Sequence, residues 1–198
     1  SWAAGDATSR AVRLALIGSQ YLAQALPMGF VFGTMPFILR QEGASLRQVG
    51  LLFVLHLPWA LKLLYAARLE ALEPGPLGRR KSWIAPMQWV AAAALAGAAF
   101  LDLATGFAAV FCLLLLYNLA MATGDIAVDG YATDILKPEE LRWGAALQAS
   151  GRFVGMMLGG GLLLLLYTRL GWAMVCAMLA AATLLLSLPV LLVPEIAP

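Results

Sequence analysis

The chain has 198 residues, of which 62% are hydrophobic and 12% charged; soluble domains carry about 25% charged residues, so the composition excludes one and calls for a lipid bilayer. A formal net charge of +2 is too small to suggest nucleic acid, and the Lys and Arg residues are informative instead through the loops they occupy. Cys112 and Cys176 both fall in apolar runs, where a thiol behaves as a small hydrophobe, so neither a disulfide framework nor redox chemistry is expected.

Residues 1–12 read as a polar cytoplasmic leader that opens Ser1-Trp2 with no initiator Met and no signal-peptide pattern, so a fragment of a longer protein is expected. At about 20 apolar residues per span, an all-α integral membrane bundle of six transmembrane helices is predicted over 13–39, 49–72, 83–102, 106–136, 144–168 and 171–193. The first helix has a polar face of Gln20, Tyr21 and Gln24, and it carries Pro27, Gly29, Gly33 and Pro36. That content predicts a bend or partial unwinding, which a membrane accepts only where protein or a watery cavity satisfies the backbone. The second helix holds Lys62 and a lone His56, either a hydrogen-bonded bundle residue or a proton relay. With no second His and no Cys or carboxylate cluster at zinc spacing, no metal site is expected.

After a turn-rich loop ending Gly78-Arg79-Arg80-Lys81 and a third helix, the fourth helix carries Gly124-Asp125-Ile126-Ala127-Val128-Asp129-Gly130 and, farther on, Asp134. An acid inside a span is a functional-site hypothesis that needs a partner. Asn118, Asp125 and Asp129, seven and four residues apart, share one helix face. The fifth helix repeats Gly151, Gly155 and Gly159, a strip along which another backbone can approach closely. Residues 194–198 read as the start of a linker to a further half. The interrupted, polar helices one and four stand three spans apart, which predicts two three-helix inverted repeats, 13–102 and 106–193, with a transport site at their junction.

With the amino terminus inside, Arg10, Arg13, Arg68, Arg79, Arg80, Lys81, Lys137 and Arg142 are cytoplasmic and only Arg40, Arg47 and Arg169 lie outside, so both termini are expected in the cytoplasm. Trp83, Trp143 and Trp172 stand near span ends as interfacial anchors do.

Four motifs in order, Gln24-Ala25-Leu26-Pro27-Met28-Gly29-Phe30, Leu57-Pro58-Trp59-Ala60-Leu61-Lys62, Gly78-Arg79-Arg80-Lys81-Ser82-Trp83-Ile84 and Asp125-Ile126-Ala127-Val128-Asp129-Gly130, resemble one branch of the major facilitator superfamily. That branch holds muropeptide permeases, acetyl-coenzyme A transporters and bacterial permeases for siderophores such as rhizobactin and pyochelin. The resemblance implies half of a twelve-helix fold, the amino-terminal six helices, with a missing carboxy-terminal half or a second copy of this chain as partner. It also implies a bacterial inner-membrane importer, not an enzyme, with no cofactor. The loop after helix two is similar to the superfamily's cytoplasmic gating motif, with Arg79 and Arg80 matching and Glu70 or Glu73 as the upstream acid, set apart by an insertion. Met156 stands after Gly155 where the superfamily's antiporter pattern has Pro, so antiport is not implied. Helices one and two resemble the siderophore permeases most, which makes a siderophore or its iron complex the expected cargo, with muropeptide next.

Depth along the helices, at about 1.5 Å per residue, brings Asp129 and Arg152 to roughly 10–12 Å from the cytoplasmic turn, Asp125 to roughly 17 Å and Lys62 to roughly 15 Å. Two buried pairs are therefore expected, Asp129 with Arg152 and Asp125 with Lys62, while Asp134 should reach the interface near Lys137. Such acids either couple transport to protons or lock helices two, four and five together as struts. Gln20, Tyr21, Gln24, Phe30, Tyr117 and Asn118 are the expected substrate contacts, aromatic and amide groups suited to a bulky, partly polar small molecule. Two other classes compete with transport. Asp125, Asp129 and Gly130 resemble the metal-binding acids of phospholipid-head-group transferases, but with three residues between the acids rather than two and no Arg after Ala132. A six-helix interaction subunit is the remaining alternative.

Overall fold

A computed structural model describes residues 9–72, 78–103 and 105–192, and every regular element among them is helical. Four helical stretches are long and apolar enough to cross a membrane: Arg10–Gln41, Leu46–Ala71, Phe107–Ile135 and Pro138–Leu192. The first two are labelled α1 and α2, Lys81–Ala99 is α3, and Phe107–Ile135 is α4. The last stretch, at 55 residues, far exceeds the roughly 20 needed for one span. It opens with a 3-10 turn at Pro138–Glu140 and is broken at Gly171, whose φ of 75° and ψ of 179° lie outside the helical region. Glycine alone adopts that conformation without strain. The two limbs, 141–170 and 172–192, are α5 and α6.

Helix α1 starts where the Ser9 hydroxyl accepts the Val12 N–H, 3.4 Å away, earlier than the expected leader allowed. It does not unwind. It runs through Pro27 and widens into a π-helical segment at Phe30–Thr34, so the irregular stretch keeps its carbonyls hydrogen-bonded within the chain. Helix α2 starts with a reciprocal cap: Ser45 Oγ accepts the Gln48 N–H at 3.3 Å and Gln48 Oε1 accepts the Ser45 N–H at 2.8 Å. It tightens to 3-10 geometry at Leu52–His56, just before Pro58, whose missing N–H interrupts the α-helical ladder.

Helix α1 lies along α5, α3 packs against both α4 and Leu163–Leu192, and α2 leans on α4. One core cluster is built around Phe30, Met35, Ile38, Leu95, Leu114 and Tyr117, and a second, toward the other end, around Leu16, Ile17, Ile84 and Tyr131. Leu63 and Leu64 of α2 are exposed, an outward apolar face for lipid.

The α1–α5 seam is where the glycine strip acts. A Cβ on Gly155 would stand 2.5 Å from that of Ala25, one on Gly33 would lie 2.7 Å from the Gly160 Cα, and one on Gly159 would strike the Leu26 carbonyl. Backbones in this contact replace side chains. A second π-helical segment, Leu158–Leu162, faces the one in α1 across the seam. The Thr34 hydroxyl bridges them, 2.8 Å from the Gly159 carbonyl oxygen and 2.9 Å from that of Gly160.

Candidate functional site

Polar side chains in this apolar bundle converge where α1, α2, α4 and α5 meet. They line a cavity of about 290 Å³ with Tyr21, Gln24, Ala25 and Met28 from α1, His56, Trp59 and Lys62 from α2, Asp125 from α4 and Arg152 from α5. Each reaches it for a local reason. Tyr21, Gln24, Ala25 and Met28 follow the helical three- and four-residue spacing along α1. Gly151 lets α5 approach Tyr21 closely enough for Arg152, its neighbour, to reach the same cavity.

Lys62 donates to Asp125 Oδ2 in a close ion pair, as expected. The Asp125 side chain is 2% exposed, and its other oxygen, Oδ1, has no hydrogen-bond partner among the described residues. The Lys62 ammonium also lies 3.7 Å from Asp129 Oδ2 and 5.8 Å from the centre of the Trp59 ring. The shared face of α4 holds together: Asn118 Oδ1 accepts the Trp59 indole N–H at 3.2 Å, so Asn118, Asp125 and Asp129 all address α2.

The expected pair of Asp129 with Arg152 does not form. Asp129 Oδ1 accepts instead from the Tyr21 hydroxyl at 3.1 Å and from Gln148 Nε2 at 3.3 Å. Gln148 stands one turn before Arg152 on α5 and takes the place assigned to the arginine, because rise along an axis gives height but not direction around it. Arg152 is left exposed on the cavity wall. Tyr21 also lines a second cavity of about 370 Å³ with Asp129 and Gln148, so the Tyr21–Asp129–Gln148 group stands between two hollows.

Of the six expected substrate contacts, only Tyr21 and Gln24 line the cavity. Gln20 is fully buried, donating to the Leu186 carbonyl at 2.9 Å and accepting from Gln88 Nε2 at 2.7 Å, which ties α1 to α6 and α3. Phe30 packs in the core, its ring 6.1 Å from that of Trp172, and Tyr117 is buried beside it. Asn118 does not line the cavity and meets it only through its bond to Trp59. Met28, His56 and Trp59 replace them as wall residues. His56 is exposed there, edge-on to Phe32 with ring centres 5.4 Å apart.

At the end of α4, residues of the expected gating loop meet. Arg80 pairs with Asp134 through Nε at 2.9 Å and with Glu70 through Nη1 at 3.4 Å, while Arg79 donates to the Glu70 carbonyl at 2.7 Å. The Arg80 guanidinium lies against Gly130, one turn before Asp134 on α4, where any Cβ would collide with it. Glu73 lies outside the described residues.

Sequence reasoning also missed the pair of Arg13 with Glu140. Arg13 donates to Glu140 through Nη2 at 2.6 Å and Nε at 3.1 Å, and both side chains are 5% exposed. The bond from Arg13, helped by the Lys137 N–H, holds the Glu140 carboxyl below its ordinary range despite burial. The available signal was an arginine just inside a predicted span, the kind of charge that requires a partner. Among the described residues no group of three His, Cys, Asp or Glu side chains is placed to hold a metal ion.

A family model for acetyl-coenzyme A transporter 1 matches residues 13–101. The anhydromuropeptide permease of Escherichia coli strain K12 is 29% identical over 174 residues, which cover 87% of this chain and 35% of the permease. An uncharacterized membrane protein of Saccharomyces cerevisiae is 31% identical over 158 residues, covering 68% of this chain and 28% of its own length. An uncharacterized protein of Haemophilus influenzae is 30% identical over 147 residues, 74% of this chain and 35% of that protein. The chain thus spans about a third of the length of the curated relatives it matches. These similarities, with the long apolar helices, support a multi-pass membrane protein that resembles permeases over part of their length.

Proposed function

We propose that this chain is the amino-terminal six-helix half of a major facilitator-type importer in a bacterial inner membrane, with both termini cytoplasmic and a second half completing the cavity. The observation that carries this is the gathering of Tyr21, Gln24, Lys62, Asp125 and Arg152 at one cavity inside an apolar helical bundle, since polar and ionisable groups at membrane depth mark solute pathways. The inverted-repeat reading, 13–102 against 106–193, draws support from the packing. Exchanging α1 with α4, α2 with α5 and α3 with α6 turns the α1–α5 contact into α4–α2 and the α3–α4 contact into α6–α1, and leaves α3–α6 unchanged. All of these neighbours are in contact. The glycine break at residue 171 supports counting α5 and α6 as separate spans.

The cargo class is a bulky, partly polar solute. The similarities reported above lend the siderophore expectation nothing, whereas one relative carries an anhydromuropeptide in its name, so a muropeptide-like solute is the first candidate and a siderophore the second. Proton coupling is assigned to Asp125, with Asp129 as its neighbour. The competing role, a strut, is favoured by the direct Lys62 bond. Uptake of an anhydromuropeptide and of an iron-loaded siderophore by cells carrying the full-length gene tests the cargo. Asp125→Asn tests the acid: normal protein with lost pH-driven accumulation means coupling, and loss of folded protein means a strut. Unchanged uptake in both Asp125→Asn and Asp129→Asn would sink the coupling assignment.

A further inference from the structure

We infer that Arg152 is an oxyanion anchor, and that the solute taken by this cavity carries a carboxylate or phosphate next to an apolar or planar portion. The inference rests on the transporter reading for its setting and on local charge placement for its content. Lys62 pairs with both Asp125 and Asp129, and Tyr21 and Gln148 also donate to Asp129. Arg152 forms no ion pair with any carboxylate among the described residues, yet it lines the cavity and is exposed.

The formal charges of Lys62, Arg152, Asp125 and Asp129 cancel, but their placement does not. The Asp125 side chain is 2% exposed, whereas that of Lys62 is 20% exposed and Arg152 is exposed. Asp129 turns to Tyr21 and Gln148 at the second hollow. A solute entering the first cavity therefore meets cationic faces, and its anion would interact with them in a medium partly shielded from water, where Coulomb attraction is stronger than in bulk. A guanidinium presents a planar fork that matches a carboxylate or phosphate in two parallel hydrogen bonds. Trp59 and Met28, which also line the cavity, supply apolar surface for the rest of the molecule.

The same oxyanion chemistry could come from a peptide carboxylate or from a phosphate, and binding separates them. The full-length transporter in detergent is titrated with an anhydromuropeptide, with the same compound carrying carboxamides in place of its carboxylates, and with acetyl-coenzyme A. The inference expects the wild type to bind at least one of the two anionic probes. If that is the anhydromuropeptide, amidation should weaken it about 10-fold or more, as loss of a charge-assisted bond does. Arg152→Gln should weaken the anionic probe by a similar factor while erasing the preference for carboxylate over carboxamide, and Arg152→Lys should recover part of it. Arg152 is exposed, so these variants should fold, which their unfolding temperatures check. Binding by neither anionic probe, equal binding of acid and amide, or an unchanged preference in Arg152→Gln would overturn the inference. Intact anion binding without uptake in vesicles would instead overturn the transporter reading and leave the anchor standing.

Discussion

Two glycines two residues apart on α5 allow the backbone contact at the α1 seam to be weighed directly. A Cβ on Gly159 would strike the Leu26 carbonyl and lie 2.8 Å from the Phe30 backbone nitrogen, whereas one on Gly161 meets nothing within 4 Å. Gly159→Ala and Gly161→Ala add the same methyl group and gain the same intrinsic helix propensity, about 1 kcal/mol, so their difference isolates packing. The atoms met at Gly159 belong to backbone, which cannot swing aside as a side chain would. The helices must separate, and the Thr34 bond to the Gly159 carbonyl lengthens with them. Overpacking of this kind costs about 1–3 kcal/mol. The assay is reversible unfolding of the full-length protein in mixed micelles, read by the stability difference between the two variants. Gly161→Ala should match or slightly exceed wild type, and Gly159→Ala should fall below Gly161→Ala by the stated amount. Equal stabilities would refute the claim that α1 and α5 touch through their backbones here.

Glu140→Gln takes from the buried Arg13 guanidinium its two charge-assisted bonds to the Glu140 carboxylate and should cost roughly 1.5–3 kcal/mol near neutral pH, measured by unfolding. Because Arg13 lowers the Glu140 carboxyl from its reference value of 4.5, the pair's stabilisation is complete above that pH and declines as the pH falls through the lowered folded value; the gap between wild type and Glu140→Gln should narrow on acidification, not widen. Gly130→Ala should displace the Arg80 guanidinium from α4 and weaken its half-exposed pairs with Glu70 and Asp134, costing under about 1 kcal/mol of stability. If these residues gate the cytoplasmic side, the same variant should change uptake rate out of proportion to that loss, and a parallel change in both would argue for a purely structural role.

Much of the bundle was legible because hydropathy and helix breakers report span positions almost directly. Spans one and two were placed within three residues of α1 and α2, the Lys62–Asp125 pair followed from depth alone, and the glycine period announced the seam. What sequence conveyed poorly was direction around each axis. Gln20 and Gln24 are one turn apart, yet Gln20 reaches into α3 and α6 while Gln24 lines the cavity. Asp129 found Gln148 rather than Arg152 for the same reason. Phe30 and Tyr117 were expected as substrate contacts because aromatic groups suit a bulky ligand, but a large ring within the bundle fills core equally well. The Arg13–Glu140 pair joins residues 127 positions apart, and no local pattern links them.

The paired π segments have a consequence for counting. A π turn holds one residue more than the α-helical ladder it interrupts, and each residue advances the helix by about 100°. In α1 and α5 the stretches on either side of residues 30–34 and 158–162 are therefore out of phase with one another. A stripe of polar positions traced from Gln20 or Arg152 goes off register beyond those points, so a residue predicted to face the cavity from one end of the helix faces a neighbour instead. Because both helices slip at the same height, the phase change in one is met by that in the other. Any comparison of this chain with a relative whose helices are regular must therefore open a one-residue gap in each.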